Sequence, residues 1–271
     1  GGRQLTAARP GTSLDTHILT IRSAHRERSS LDGLVRSGAI SRGMATLLSH
    51  CVAARSNILV TGAHDSGAVE VAEALARAIP RSQQGLWLGR EDFAAPEGVA
   101  AMRLGEDGPA RELTEVTKLG LDHLVVPALG GDGLLGLLDA VMGGLEGVTY
   151  VAAAATLRQA VSRLSADVAA ARPGLTPPTA REWLGSSFDV GREVARLRAG
   201  RLRVVGRAEL RDSASGVSLR DVFTFAYHRT AAGGSIEGAF YASGTVPRFV
   251  EELASRGMPL DTSIFRRHPS S

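Results

Sequence analysis

The chain has a single cysteine, Cys51, in 271 residues, so no internal disulfide can form. That excludes a disulfide-stapled scaffold and suits a reducing compartment. Aromatic residues make up only 4 % of the chain, too few to lay down stacking platforms for single-stranded nucleic acid. Lysine is nearly absent: Lys118 stands alone, and arginine supplies the rest of the 31 basic side chains. With a net charge of only +3, those arginines read as solvated or paired groups, and no nucleic-acid partner is expected. Long hydrophobic runs are missing too. The most apolar region, 121–155, is broken by Asp122, Asp132, Asp139, Glu146 and many glycines. A spanning helix needs about 20 nearly uninterrupted apolar residues, so no membrane crossing is expected. No N-terminal signal peptide is visible.

What is present is ordinary globular material, 44 % hydrophobic and 22 % charged, enough for one large domain or two small ones. Residues 1–28 are polar and basic around one strand-like run, "HILTIR" (17–22). They are expected to be the end of an N-terminal domain or an interdomain linker, with the chain continuing upstream. Residues 29–271 form the second unit. Ser30 and Ser41 are expected helix caps, with Leu31, Leu34 and Val35 on one face of the first helix and a second helix over 41–55. Then strand and helix alternate. Strands are predicted at 57–62, 85–89, 122–129 and 147–155, and helices at 68–79, 134–144 and 157–171. That alternation predicts a mostly parallel sheet covered by helices on both faces. The proline-rich 172–179 reads as a loop. Residues 201–210 and 222–229 alternate like antiparallel strands at a sheet edge. Within 245–260 a helix is stopped by Gly257 and Pro259, and 265–271 is expected to fray.

The stretch "VTGAHDSGAVEV" (60–71) has chemical spacing. Gly62 and Gly67 stand as in G-x-x-x-x-G-K-[ST], between a strand and a helix. Such a loop points backbone N–H groups and a helix dipole at phosphate, while Lys neutralises charge and Ser/Thr holds magnesium. Ser66 and Gly67 are followed here by Ala68 and Val69, so the cation and the metal hydroxyl are both missing. A charge pair at 4 Å in a partly screened site is worth about 4 kcal/mol, so losing the Lys alone weakens ATP binding by more than tenfold. Asp65 adds repulsion. A glycine-bounded turn with no ligand has the same appearance. His64-Asp65-Ser66 sit on one turn and cannot form a relay.

Three longer stretches can be lined up together: "ILTIRS" (18–23), "LDGLVRSGAISRGMATLLSHCVAARSNILVTGAHDSG" (31–67) and "GAFYASGTVPRFVEELASRGMPLDTSIF" (238–265). In order and spacing they resemble the C-terminal motor domain of the type II/IV secretion ATPase superfamily. The closest resemblance is to the ATPases of tight-adherence pilus assembly. It implies an α/β fold: a RecA-like P-loop NTPase three-layer core with a mostly parallel sheet and an antiparallel edge extension. It also allows a check of the chemistry. The family's phosphate-loop Lys and Thr fall on Ala68 and Val69. Its acidic box falls near Glu91 and Asp92, and its L-R-M-R-P-D run keeps only Lys118 and Asp122. Its Walker B Glu falls on Ala128 and the following Arg on Gly130. Its two histidines fall on Leu145 and Ala153, whereas Gly144 and Gly147 remain.

Packing residues of the resemblance survive and the groups that touch phosphate, magnesium or water do not. The resemblance therefore implies a catalytically inactive paralogue, a pseudo-ATPase without catalytic or metal-binding residues, acting as a structural or regulatory subunit. No cofactor is expected. ATP and magnesium are the family ligands should binding persist, through the degenerate loop Gly62, Ser66, Gly67, Ala68 and Val69, with Arg22 as substitute cation. Implied partners are active ATPase subunits or further copies in a ring such as a hexamer, and an inner-membrane platform protein. The implied location is cytoplasmic or peripheral at the inner membrane. Two alternatives stand beside this: a nucleotide-binding ATPase with a noncanonical loop and weak hydrolysis, and an interaction module that forms no ring. Arg55, Arg158 and Arg163 are either subunit-boundary arginines or solvated helix faces.

Overall fold

A computed structural model describes residues 3–8, 18–23, 29–89, 95–103, 113, 115–127, 129–197, 202–213, 216–230, 236–267 and 269–270. Strands β1 (Arg3–Ala8) and β2 (Ile18–Ser23) form an antiparallel pair of their own. Two helices follow, α1 (Leu31–Arg36) and α2 (Arg42–Ala53). Both predicted caps are made: the Ser30 hydroxyl accepts the Gly33 N–H at 3.0 Å, and that of Ser41 accepts the Met44 N–H at 3.3 Å. Each relieves one of the unpaired donors that every helix start exposes.

The body of the chain winds β3 (Ile58–Gly62), α3 (Ala68–Ala76), β4 (Gly85–Gly89), β5 (Ala100–Arg103), β6 (His123–Pro127), α4 (Gly131–Met142), β7 (Val148–Ala153), α5 (Leu157–Ala171), α6 (Pro177–Ser187), β8 (Val190–Arg196), β9 (Leu202–Ser213) and β10 (Gly216–Asp221). These strands make one sheet in the order β10-β9-β8-β3-β7-β6-β4-β5. From β8 to β5 all pairings are parallel, and β9 and β10 extend the sheet antiparallel. The sequence alternates in space with period two. Ile58 and Val60 join one apolar core and Leu59 the other, as Trp87 does opposite Leu86 and Leu88. Central strands are therefore apolar on both faces, the mark of a parallel sheet covered by helices. The first core receives α1, α2 and α3 together with α7 (Arg248–Ser255), and the second receives α4, α5 and α6. The result is the expected three-layer α/β sandwich with its antiparallel extension.

Beyond β10, strands β11 (Phe223–Thr230), β12 (Ile236–Ala242) and β13 (Pro269–Ser270) form a separate small sheet. It adds Phe223, Phe240 and Ala242 to the first core. The expectation that 222–229 edges the main sheet is thus corrected, because β11 pairs with β12 instead. The tail does not simply fray either: Ser270 and Pro269 pair with Phe240 and Tyr241, and the Arg267 Nε donates to the Ser243 carbonyl at 2.8 Å. The expected loop over 172–179 ends early. Thr176 caps α6 by accepting the Thr179 N–H, and Pro177 and Pro178 fill a first turn where no N–H is needed. The helix in 245–260 does stop at Gly257, whose φ is +82°. Among the described residues no helix is long and apolar enough to cross a membrane.

Candidate functional site

Strand β3 lies at the centre of the sheet between β7 and β8, and the loop that leaves it opens at the carboxyl ends of the parallel strands. In open α/β sheets that edge is where ligands settle. The loop runs Ala63–Gly67. Gly67 takes φ +96°, a left-handed value that glycine adopts without strain, and starts α3 with no side-chain cap. Asp65 is also left-handed, at φ +60°. The backbone frame of a phosphate loop is therefore built, with a helix N-terminus behind it.

The interior of that frame is filled by the chain itself. Ser66 is buried and folds back against Gly62, so that a Cβ on Gly62 would lie 2.9 Å from both the Ser66 Cβ and the Val194 carbonyl oxygen. The Ser66 N–H donates to the Ala63 carbonyl at 3.0 Å, and the Ser66 hydroxyl accepts the Ala68 N–H at 3.4 Å. Two N–H groups that a phosphate would need thus have partners inside the loop. Ala68 is buried in the first core, and Val69 packs against the same core.

Two residues from the β8–β9 end close the mouth. A methyl of Leu202 sits where a Cβ on Gly67 would stand, with the Leu202 Cγ 3.0 Å from that point. The Arg196 Nε donates to the Asp65 carbonyl at 2.7 Å, and its Nη2 lies 3.3 Å from the Glu70 carboxylate. Neither residue is marked by local sequence, since both contacts join segments far apart in the chain. His64 points to solvent, its Nε2 3.7 Å from the Asp65 carboxylate, while the Ser66 hydroxyl faces inward. No relay exists among the three.

The residues present do not fit a magnesium triphosphate. Ala68 offers no cation and Val69 no metal ligand, and the rim carries the carboxylates of Asp65 and Glu70. Arg196 reaches the loop, and it is tied to the Asp65 carbonyl and to Glu70.

The remaining sequence candidates disperse. Arg22 lies on β2 in register with Gln4, and its side chain is outside the described residues. Glu91, Asp92 and Ala128 are outside them as well. Gly130 precedes α4 with extended backbone, Leu145 packs half-buried on the second core, and Ala153 ends β7. Gly147 is required for packing: at φ +72°, its Cβ would strike the Asp122 carbonyl oxygen. Asp122 accepts the Gln84 N–H at 2.8 Å and Arg55 at 3.3 Å, a structural role. Lys118 pairs with Glu115 on the surface. Arg55 also pairs with Glu146, and Arg163 donates to the Ala153 carbonyl at 2.6 Å, so both are engaged within the chain. Arg158 is exposed on α5.

A strand, a glycine loop and a helix at the centre of a mostly parallel three-layer sandwich define a RecA-like, P-loop-type fold. Solved structures of this fold resemble the chain over most of its length. The VirB11 ATPase of the Brucella suis type IV secretion system, in complex with sulphate, is 19 % identical with a TM-score of 0.52, over 81 % of this chain and 74 % of that one. The ATPase DotB of Yersinia pseudotuberculosis is 14 % identical with a TM-score of 0.52, over 78 % and 55 %. The pilus retraction motor PilT with bound ADP is 15 % identical with a TM-score of 0.51, over 76 % and 62 %. At these identities the likeness is one of fold. The chain spans less than two thirds of the DotB and PilT chains. No protein-family model matches the chain, and no curated protein sequence does.

Proposed function

We propose that the chain is a catalytically inactive paralogue of a secretion or pilus assembly ATPase, of the tight-adherence type, acting as a structural or regulatory subunit. One observation carries this reading: the phosphate loop keeps its left-handed Gly67 and its helix, yet Ser66, Leu202 and Arg196 fill and close it. A fold held in place by selection for packing alone would keep such glycines while its phosphate-binding groups drift. In this role the domain spanning 29–271 works through contacts, in a ring with active subunits or further copies, or against a membrane platform protein from the cytoplasmic side.

The test is calorimetric titration of the protein with Mg-ATP, together with a phosphate-release assay. The expected result is no saturable heat at millimolar nucleotide and no turnover above background. Turnover comparable with that of an active motor would end the reading. A second reading, nucleotide binding without efficient hydrolysis, draws on Arg196, whose Nη2 lies 3.6 Å from where a Gly67 Cβ would stand. Saturable binding lost in Arg196→Ala would favour it over the first.

A further inference from the structure

Strand β3 ends at Gly62, in register with Val194 of β8, but β8 continues through Ala195 and Arg196. Its neighbour β9 carries a bulge at this height. Glu193 faces Gly206 and Val194 faces Val204, which leaves Val205 as the extra residue. A bulge bends its strand and re-aims the side chains beyond it. The last rung past this bulge is Arg196–Leu202, and these are the two residues that meet the phosphate loop. Arg196 donates to the Asp65 carbonyl and faces Glu70, while Leu202 covers Gly67. One rung of one hairpin therefore supplies both contacts.

The base of this hairpin end is fixed. Val204 is fully buried and its N–H donates to the Ala39 carbonyl at 2.9 Å, while the Arg203 Nη1 donates to the Ser37 carbonyl at 3.4 Å. The rung itself is held more lightly. The side chains of Arg196 and Glu70 are 40 % and 32 % exposed, so solvent screens their attraction, and Leu202 is half-buried. A tip with partly solvated contacts on a rigid base opens at lower cost than the core beneath it.

We propose that this hairpin end is an autoinhibitory strap over the phosphate loop, hinged at the Val205 bulge. It acts as a lock separate from the missing lysine. A chain carrying Ala68→Lys/Val69→Thr stays closed to Mg-ATP until the Arg196–Leu202 rung lifts, and its apparent affinity falls in proportion to the fraction of open molecules. The proposal rests on the reading of the loop as closed and stripped of its chemistry.

Calorimetric titration with Mg-ATP tests it on four proteins: the unaltered chain, Ala68→Lys/Val69→Thr, Arg196→Ala/Leu202→Ala, and the quadruple variant. The quadruple variant should bind at least about tenfold more tightly than Ala68→Lys/Val69→Thr. Ala68 is buried, so a lysine there can disturb folding, and hydrogen exchange supplies a measurement that needs no lysine. In Arg196→Ala/Leu202→Ala the amides of Ser66 and Ala68, bonded inside the loop, should exchange about tenfold faster, while the Val204 amide keeps its protection. Equal affinities with and without the rung would overturn the proposal. So would unchanged exchange at Ser66 and Ala68, or a quadruple variant that is folded by circular dichroism and binds nothing. Saturable binding by the unaltered chain would end the reading of the loop itself, and the strap with it.

Discussion

Closure of the loop mouth by Leu202 can be measured as a coupling energy. Gly67→Ala places a methyl group on a residue held at φ +96° and drives it into the Leu202 side chain. The left-handed backbone alone costs an L-residue about 1–2 kcal/mol, and overpacking adds about 1–3 kcal/mol. The single variant should therefore lose about 2–5 kcal/mol. Leu202 is half-buried against the first core, so Leu202→Ala removes only part of what a fully buried leucine gives, about 1–2 kcal/mol. In the double variant the overlap is gone and only the backbone term remains. The two losses should then fall short of additivity by about 1–3 kcal/mol, well outside the usual scatter for independent sites. Urea unfolding followed by far-UV circular dichroism on the four proteins gives the cycle. If Gly67→Ala costs the same with and without Leu202, the side chain does not rest on the loop, and the mouth is open to a ligand.

Two further outcomes follow from buried polar groups. Burial lowers the pKa of His123 from its ordinary value near 6.5, so on acidification the unfolded chain takes up the proton first. Its contribution is complete above that value and declines as pH falls below it. His123→Gln should flatten the fall in thermal midpoint between pH 7 and pH 5.5, and an unchanged slope would show that His123 is already solvated. The Tyr150 hydroxyl donates to the Leu129 carbonyl at 2.6 Å inside the second core. Tyr150→Phe strands that acceptor and should cost about 1–3 kcal/mol by urea unfolding, and a neutral result would place water there.

Elements whose residues obey one local rule were legible from sequence. Helix α5 begins and ends where the apolar period does, and the Ser30 and Ser41 caps sit where hydroxyl and helix start coincide. Strand β8 was not legible. "VGREVAR" places Arg192 and Glu193 within a central strand, where an uninterrupted apolar run is the usual sign. Glu193 is tolerated because its carboxylate accepts the Leu157 N–H at 2.6 Å, capping α5 from across the fold. Helix α6 was hidden by its own prolines, which mark loops in general but suit the first turn of a helix. At the phosphate loop the glycine spacing and the missing lysine were plain in the sequence. The filling was not, because Leu202 and Arg196 reach the loop only once β8 has been laid beside β3 and β9 beside β8.

The seclusion of Cys51 has a practical use. The thiol is fully buried on α2 and stays protonated at neutral pH, so thiol-reactive dyes and spin labels should pass it by unless the core opens. A cysteine placed on any exposed loop becomes the one reactive handle on the molecule. Distances between such handles on mixed subunits could then report assembly without any change to the native sequence in the core.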